Sequence, residues 1–347
     1  MKRIALATTV LLFAARGEAA DPPPSLPAPP LVLSVSPGTG GGPWKMKIEN
    51  TGDVPVRVAA DPRLLSFELA PPASEANANK KPPKPLRCAL PDDARPATDE
   101  GKELVIPGKR SWTVTIDPLY YCFAAKERAA LVAGASMTAR FGFPPAKKGK
   151  DAAPFAAVPV GAAVGKVAPA KQLEAAPITL AETIAPPAAP SKDAADPPVT
   201  LTLPESLDVA RGTEVSATTT LANDGDRPIT TLFRPATLGF RVSGPQGSVT
   251  CGARAVSVAS PIRELFTTIP PKGRTQLTVM LAAVCPPDTF DEPGVYRVIP
   301  RLDTSAASGR PLGLKTLDAE IEGKTPMLLR VRSPRRETNT PRPKLDG

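Results

Sequence analysis

A chain of 347 residues with a formal net charge of +9 has room for two or three domains, each burying a core of its own. Its 46 prolines and only 4% aromatic residues place those cores in short patterned segments separated by unpatterned ones. Histidine is absent, which excludes the Ser-His-Asp triad, the Cys-His pair and the HExxH zinc site together.

The chain starts with the basic Met1-Lys2-Arg3, an apolar run from Ile4 to Ala15, and the small residues Ala19-Ala20. That order reads as a secretory signal peptide over 1–20, with an apolar run too short to cross a bilayer. No cysteine lies near the cleavage point for a lipid anchor, and no later stretch is long and apolar enough for a transmembrane helix. The expected location is therefore periplasmic or secreted. Residues 21–30 form a Pro-rich leader, whose prolines favour an extended chain.

Domain 1 is predicted over 31–183. Strands are expected at Leu31 to Val35 and Trp44 to Glu49, followed by the turn Asn50-Thr51-Gly52-Asp53-Val54-Pro55 and a returning strand. A strand from Leu64 to Leu69 leads into a polar loop, Pro71 to Pro85. After Cys88 come Glu103 to Ile106, the turn Pro107-Gly108-Lys109, and Ser111 to Ile116 with Trp112, Val114 and Ile116 on one face. Met137 to Phe143 is a further strand, Pro144 to Ala170 has little pattern, and Glu174 to Leu180 closes the domain.

Residues 184–198 form an Ala/Pro-rich linker, a semi-rigid spacer that lets the two parts move independently. Domain 2, 199–332, repeats the first. Asn223-Asp224-Gly225-Asp226-Arg227-Pro228 matches the Asn50 turn, and Pro235, Leu238, Phe240 and Val242 follow it in step with Pro62, Leu65, Phe67 and Leu69. Thr267 to Ile269, Pro270-Pro271-Lys272 and Thr275 to Val279 match the later strands, and the Pro71 to Pro85 loop is an insertion in the first copy. Gly294 to Leu302 alternates cleanly and is expected to pair with the strand before Cys285. Residues 333–347 form a disordered basic tail.

Cys88 and Cys122 are 34 residues apart, as are Cys251 and Cys285. The equal spacing selects Cys88–Cys122 and Cys251–Cys285 as disulfides, each closing a loop worth about 4 kcal/mol in the chain-entropy model. A zinc site fails for want of a CxxC pair and of histidine. About seven short strands per copy with an internal disulfide describe an all-β chain of two tandem Ig-like β-sandwich domains. At Asn-x-Gly-Asp-x-Pro-Val/Ile and Ile-Pro-x-Lys the copies resemble bacterial extracytoplasmic Ig-like domains. The Asn50 turn with its following Phe67 strand is also similar to the BsuPI proteinase-inhibitor sandwich. That resemblance implies a fold; it assigns no inhibitory residue.

Candidate chemistry is sparse. Asp92-Asp93 and Asp288-Thr289-Phe290-Asp291-Glu292 are acidic but sit in Pro-containing loops, as solvated turns do. Asn50, Asp53, Asn223, Asp224 and Asp226 could offer oxygens to calcium, yet Asn and Asp also fill turn positions for backbone reasons, and calcium needs six or more ligands. Phe67, Phe240, Trp112, Leu277 and Tyr296 read as core, and Tyr120-Tyr121 as packing for the neighbouring disulfide. Basic runs at Lys80 to Lys84, Lys147 to Lys150 and Arg335 to Lys344 lack interleaved aromatics, so nucleic acid is not an expected partner. The expected function is non-catalytic, with no cofactor and no metal: binding or scaffolding of an envelope protein or glycan through sheet edges or the Pro71 to Pro85 and Asp288 to Pro293 loops. The alternatives are a proteinase inhibitor and a histidine-free hydrolase.

Overall fold

The computed structural model of the chain describes residues 29–38, 43–72, 84–96, 103–144, 155–159, 172–184, 198–252, 262–304, 309–317 and 319–333. The signal segment, most of the leader and of the Pro71 to Pro85 loop, the spacer 185–197 and the tail beyond 333 lie outside the described residues.

The chain is all-β. Its first half contains β1 (Leu31–Ser36), β2 (Trp44–Asn50), β3 (Val56–Ala59), β4 (Leu65–Ala70), β5 (Leu86–Ala89), β6 (Glu103–Ile106) and β7 (Ser111–Ile116). Two short helical turns, α1 (Pro118–Tyr121) and α2 (Ala125–Ala129), precede β8 (Ser136–Phe141), β9 (Ala156–Pro159), β10 (Leu173–Glu174) and β11 (Ile178–Thr179). The second half contains β12 (Val199–Thr202), β13 (Ser206–Val209), β14 (Ser216–Asn223), β15 (Ile229–Thr231), β16 (Leu238–Gly244), β17 (Gly247–Gly252), β18 (Thr267–Ile269) and β19 (Arg274–Met280). The helical turn α3 (Leu281–Val284), β20 (Gly294–Asp303), β21 (Glu320–Glu322) and β22 (Met327–Val331) complete it.

Both halves build a β-sandwich in the same way. One sheet runs β1-β2-β7, matched by β12-β14-β19; the other is centred on β4 and β8, matched by β16 and β20. Alternation decides which face is inward. Trp44, Met46, Ile48 and Asn50 point into the core while Lys45, Lys47 and Glu49 point out. From the opposite sheet Leu65, Phe67 and Leu69 pair with Phe141, Ala139 and Met137. Trp112 meets Phe141 edge to face at 5.9 Å, so the two sheets close on each other. The second core repeats this with Leu201, Leu221, Phe240, Val242, Val298 and Leu329, all nearly free of solvent contact. Removing such side chains from water is the main term that holds each half, at about 2 kcal/mol or more apiece.

The Asn50 turn does not close a hairpin. β3 leaves the sheet of β2 and pairs with β6 and β9, just as β15 pairs with β18 rather than with β14. The reason is that β2 and β7 pair at one end while β3 and β6 pair at the other, so two neighbouring chain segments switch sheets side by side and make a corner. A second expectation also changes. Among the described residues β20 pairs with β16, β21 and β22, and β19 with β14, because α3 and the residues after Cys285 carry the chain across to the other sheet. The expected strand from Glu174 to Leu180 is divided into β10 and β11 around Pro177, which has no N–H to donate to a ladder. Within the stretch thought patternless, β9 pairs with β3, and Phe155 beside it is buried against Phe141 at 5.7 Å.

Candidate interaction sites

The repeated Asn turn is a structural node. Asn50 is fully buried, and its Nδ2 donates to the carbonyls of Val54 (2.8 Å), Ile106 (3.1 Å) and Pro107 (3.2 Å), while its Oδ1 accepts from the Gly52 N–H (3.1 Å). Asn223 does the same with Arg227 (2.8 Å), Ile269 (3.2 Å), Pro270 (3.1 Å) and the Gly225 N–H (3.0 Å). One amide therefore stitches the two turns of each corner together, leaving none of its own polar atoms unsatisfied. Lys109, at φ 58, lies over the corner and donates to the Thr51 carbonyl at 2.6 Å, with Asp53 at 3.4 Å. Lys272, at φ 56, repeats this with Asp224 and Asp226. Gly108 is needed here because a Cβ would fall 2.2 Å from the Asp53 carbonyl. The oxygens considered for calcium thus already have partners, and no group of three metal-ligating side chains occurs among the described residues.

The cysteines pair as Cys88–Cys122 and Cys251–Cys285, with Cα atoms 4.6 and 4.3 Å apart. Each bridge ties an edge strand, β5 or β17, to a short helical turn. Tyr121 is buried against Phe67 at 5.5 Å and donates to the Pro62 carbonyl at 2.9 Å. Burial pushes its phenol well above the usual range, as it does for Tyr120 and Tyr296.

Tyr120 belongs to a junction between the halves. Its hydroxyl donates to the Arg332 carbonyl at 2.9 Å, and its own carbonyl accepts from Arg330 Nη1 at 3.2 Å. Arg330 is 6% exposed, holds Asp208 through two bonds and lies over the Phe123 ring at 4.5 Å. Arg128 donates to the Phe123 carbonyl and to Glu205 at 2.6 Å, and Arg332 pairs with Asp93. Val295 and Leu328 of the second half are packed into the first core. The freedom expected from the spacer is met instead by a packed junction with buried polar contacts on both sides.

Beside the junction is a cleft of about 430 Å³ lined by Arg87, Ala89, Leu90, Pro91, Arg95, Ala124, Glu127 and Arg330. Burial lowers the Arg95 pKa, Asp92 opposes that shift, and Arg87 adds to it. Burial raises the Glu127 carboxyl, whose Oε2 accepts from the Ala124 N–H at 3.1 Å.

The acidic clusters are dispersed among structural partners. Asp92 pairs with Arg95 at 2.9 Å, and Asp93 with Arg332. In the Asp288 to Pro293 loop Phe290 plugs the second core against Tyr296 at 5.2 Å, and the Glu292 carbonyl accepts from Tyr296 Oη at 2.7 Å. Phe67, Phe240 and Tyr296 are buried as expected, whereas Trp112 and Leu277 are only partly so. Sequence reasoning passed over Arg330, although an arginine inside the apolar run Met327-Leu328-Leu329-Arg330-Val331 is itself a signal of a buried, partnered cation.

The outward faces of the matched sheets differ. Ser34, Lys47 and Thr113 stand in register on the first, with Lys45 and Glu49 beside Lys47 on the central strand. On the second, Thr202, Thr220 and Gln276 are in register, and Thr218 and Thr278 hydrogen-bond at 2.8 Å. The central strand is charged in one copy and hydroxyl-lined in the other. No helix among the described residues is long and apolar enough to cross a membrane.

No family model and no curated protein matches the chain. Among solved structures it is similar to red sea bream transglutaminase at 10% identity and a TM-score of 0.20, covering 87% of this chain and 31% of that one. It is also similar to a chain from a structure on host cell surface retention of a 1.5-MDa bacterial ice-binding adhesin, at 8% identity and a TM-score of 0.16, covering 88% of this chain and 66% of that one. The chain spans less than two thirds of either of these proteins.

Proposed function

We propose that the chain is a non-catalytic binding or scaffolding protein of a bacterial cell envelope, made of two tandem Ig-like β-sandwich domains and exported by residues 1–20. The observation that carries this reading is the junction: contacts of Arg330 with Tyr120 and Phe123 tie the two halves together, which supports a display of their outer faces and edges in one relative orientation. Both disulfides fit an oxidising compartment. Without histidine, and with every cysteine bridged, neither imidazole nor thiolate is on offer, and the acidic pair Asp92-Asp93 is engaged with Arg95 and Arg332.

The test uses the full mature chain. Partners captured from an envelope fraction are identified and their affinity remeasured with purified components; a saturable one-to-one complex supports the reading. Stoichiometric block of a protease would move it to the inhibitor alternative. Turnover of a peptide, ester or glycan that vanishes on changing one carboxylate would overturn it.

A further inference from the structure

We propose that the cleft between the halves is a binding site for an oxyanion, a carboxylate or phosphoryl group, held by Arg87 and Arg95 on a floor set by Arg330. This deepens the binding reading by giving it a ligand class.

The case rests on one unpartnered guanidinium beside one whose partner is exposed. Three guanidinium groups, Arg87, Arg95 and Arg330, line one concavity with Glu127, and of the three Arg87 alone has no ion-pair partner among the described residues. Asp208 is committed to Arg330, whereas Asp92, which pairs with Arg95 at 2.9 Å, is 97% exposed, a solvent-facing partner that a ligand oxyanion can displace. Arg87 is exposed and has no hydrogen-bond or ion-pair partner among the described residues, yet it lies close enough to Arg95 for the two cations to repel. Arg95 is 81% withdrawn from solvent, with a side-chain exposure of 19%, so this repulsion is only partly screened by water.

Geometry adds a reason for an oxyanion rather than a generic solute. A guanidinium offers parallel N–H donors that match the two oxygens of a carboxylate or phosphate. Arg87 is on β5, one residue from the Cys88 bridge, and Arg95 follows the short turn after Pro91, so both stems leave rigid backbone. Arg330 is held by Asp208 and the Tyr120 carbonyl; it contributes field without needing to move. Leu90, Pro91, Ala89 and Ala124 supply apolar wall, the composition expected of a ligand cleft at a junction between structural units.

The experiment titrates the full mature chain with inorganic phosphate and, separately, with succinate, each against chloride at matched ionic strength, by calorimetry and by melting temperature. Saturable binding of at least one probe, weakened about tenfold or more in Arg87→Gln and left unchanged in Arg274→Gln on the exposed β19 edge, supports the site. Phosphate alone assigns a phosphoryl source, succinate alone a carboxylate source, and both a general oxyanion site. No response above chloride, or equal binding by wild type and Arg87→Gln, overturns the proposal. Arg87→Lys, which keeps the charge but loses the fork, is expected to fall between the two. Failure here leaves the binding reading standing, whereas turnover of a bound probe would remove that reading and keep the site.

Discussion

The two halves are closely alike at their Asn corners and differ just after β7 and β19. In the first half the chain reads Pro118-Leu119-Tyr120-Tyr121-Cys122; at the same place the second reads Leu281-Ala282-Ala283-Val284-Cys285. The disulfide is kept, but Tyr120 is buried in the junction while its counterpart Ala283 is exposed. The difference teaches what each segment must do. A corner must satisfy its own backbone, so both copies need the same amide; a docking segment needs bulk and polar tips only where another half is there to receive it. The second copy has no third copy against it among the described residues, and small side chains suffice.

The comparison can be broken most strongly at the bridges. Replacing Cys88 and Cys122 with serine is expected to cost about 4 kcal/mol and also to loosen the junction, because Cys122 lies between Tyr120 and Phe123. Replacing Cys251 and Cys285 is expected to cost about as much while leaving the junction intact. Hydrogen exchange at 328–332 separates the two outcomes; equal loosening in both variants would erase the distinction between the segments.

Arg330→Ala should come next, at about 2–3 kcal/mol, since it leaves the Tyr120 carbonyl without its donor, empties the space over the Phe123 ring and leaves Asp208 only the longer contact to Arg332 at 3.4 Å. The sharper readout is calorimetric: one unfolding transition is expected to split into two as the halves uncouple.

Asn50→Ala and Asn223→Ala are expected to destabilise by about 2 kcal/mol each, through carbonyls left buried without donors. Denaturant unfolding should give closely similar losses, and a large inequality would show that the corners are not equivalent.

The smallest effect is at Asp117, which caps α1 by accepting from the Leu119 N–H at 2.9 Å and has no acidic match at Met280. Burial holds its carboxyl above the ordinary carboxylate value, so the folded chain takes up this proton before the unfolded chain does. Stability from this group therefore falls as pH rises from the ordinary carboxylate range through the raised folded value, and is level beyond. Asp117→Asn keeps a capping oxygen and should flatten that slope with a slight gain at neutral pH, whereas Asp117→Ala should lose about 1 kcal/mol. Melting curves across pH decide between them.

Local pattern by itself determined a good part of this protein. Alternation gave the inward faces of β2, β7 and β20, because period-two burial is written into consecutive residues. The repeat and the equal cysteine spacing gave two similar cores and the pairing of the bridges, since like sequence closes like loops. What sequence could not carry was partner choice. That β2 and β3 part company at Asn50, that β13 runs parallel to β22, and that β20 turns from β19 to β16 depend on hydrogen bonds between residues far apart along the chain. The junction and its arginine cleft are of the same kind: the apolar run around Arg330 signals a buried cation but not its partners, nothing in the order of residues joins it to Tyr120, Asp208 or Arg87, and only packing of one half on the other brings their charges together.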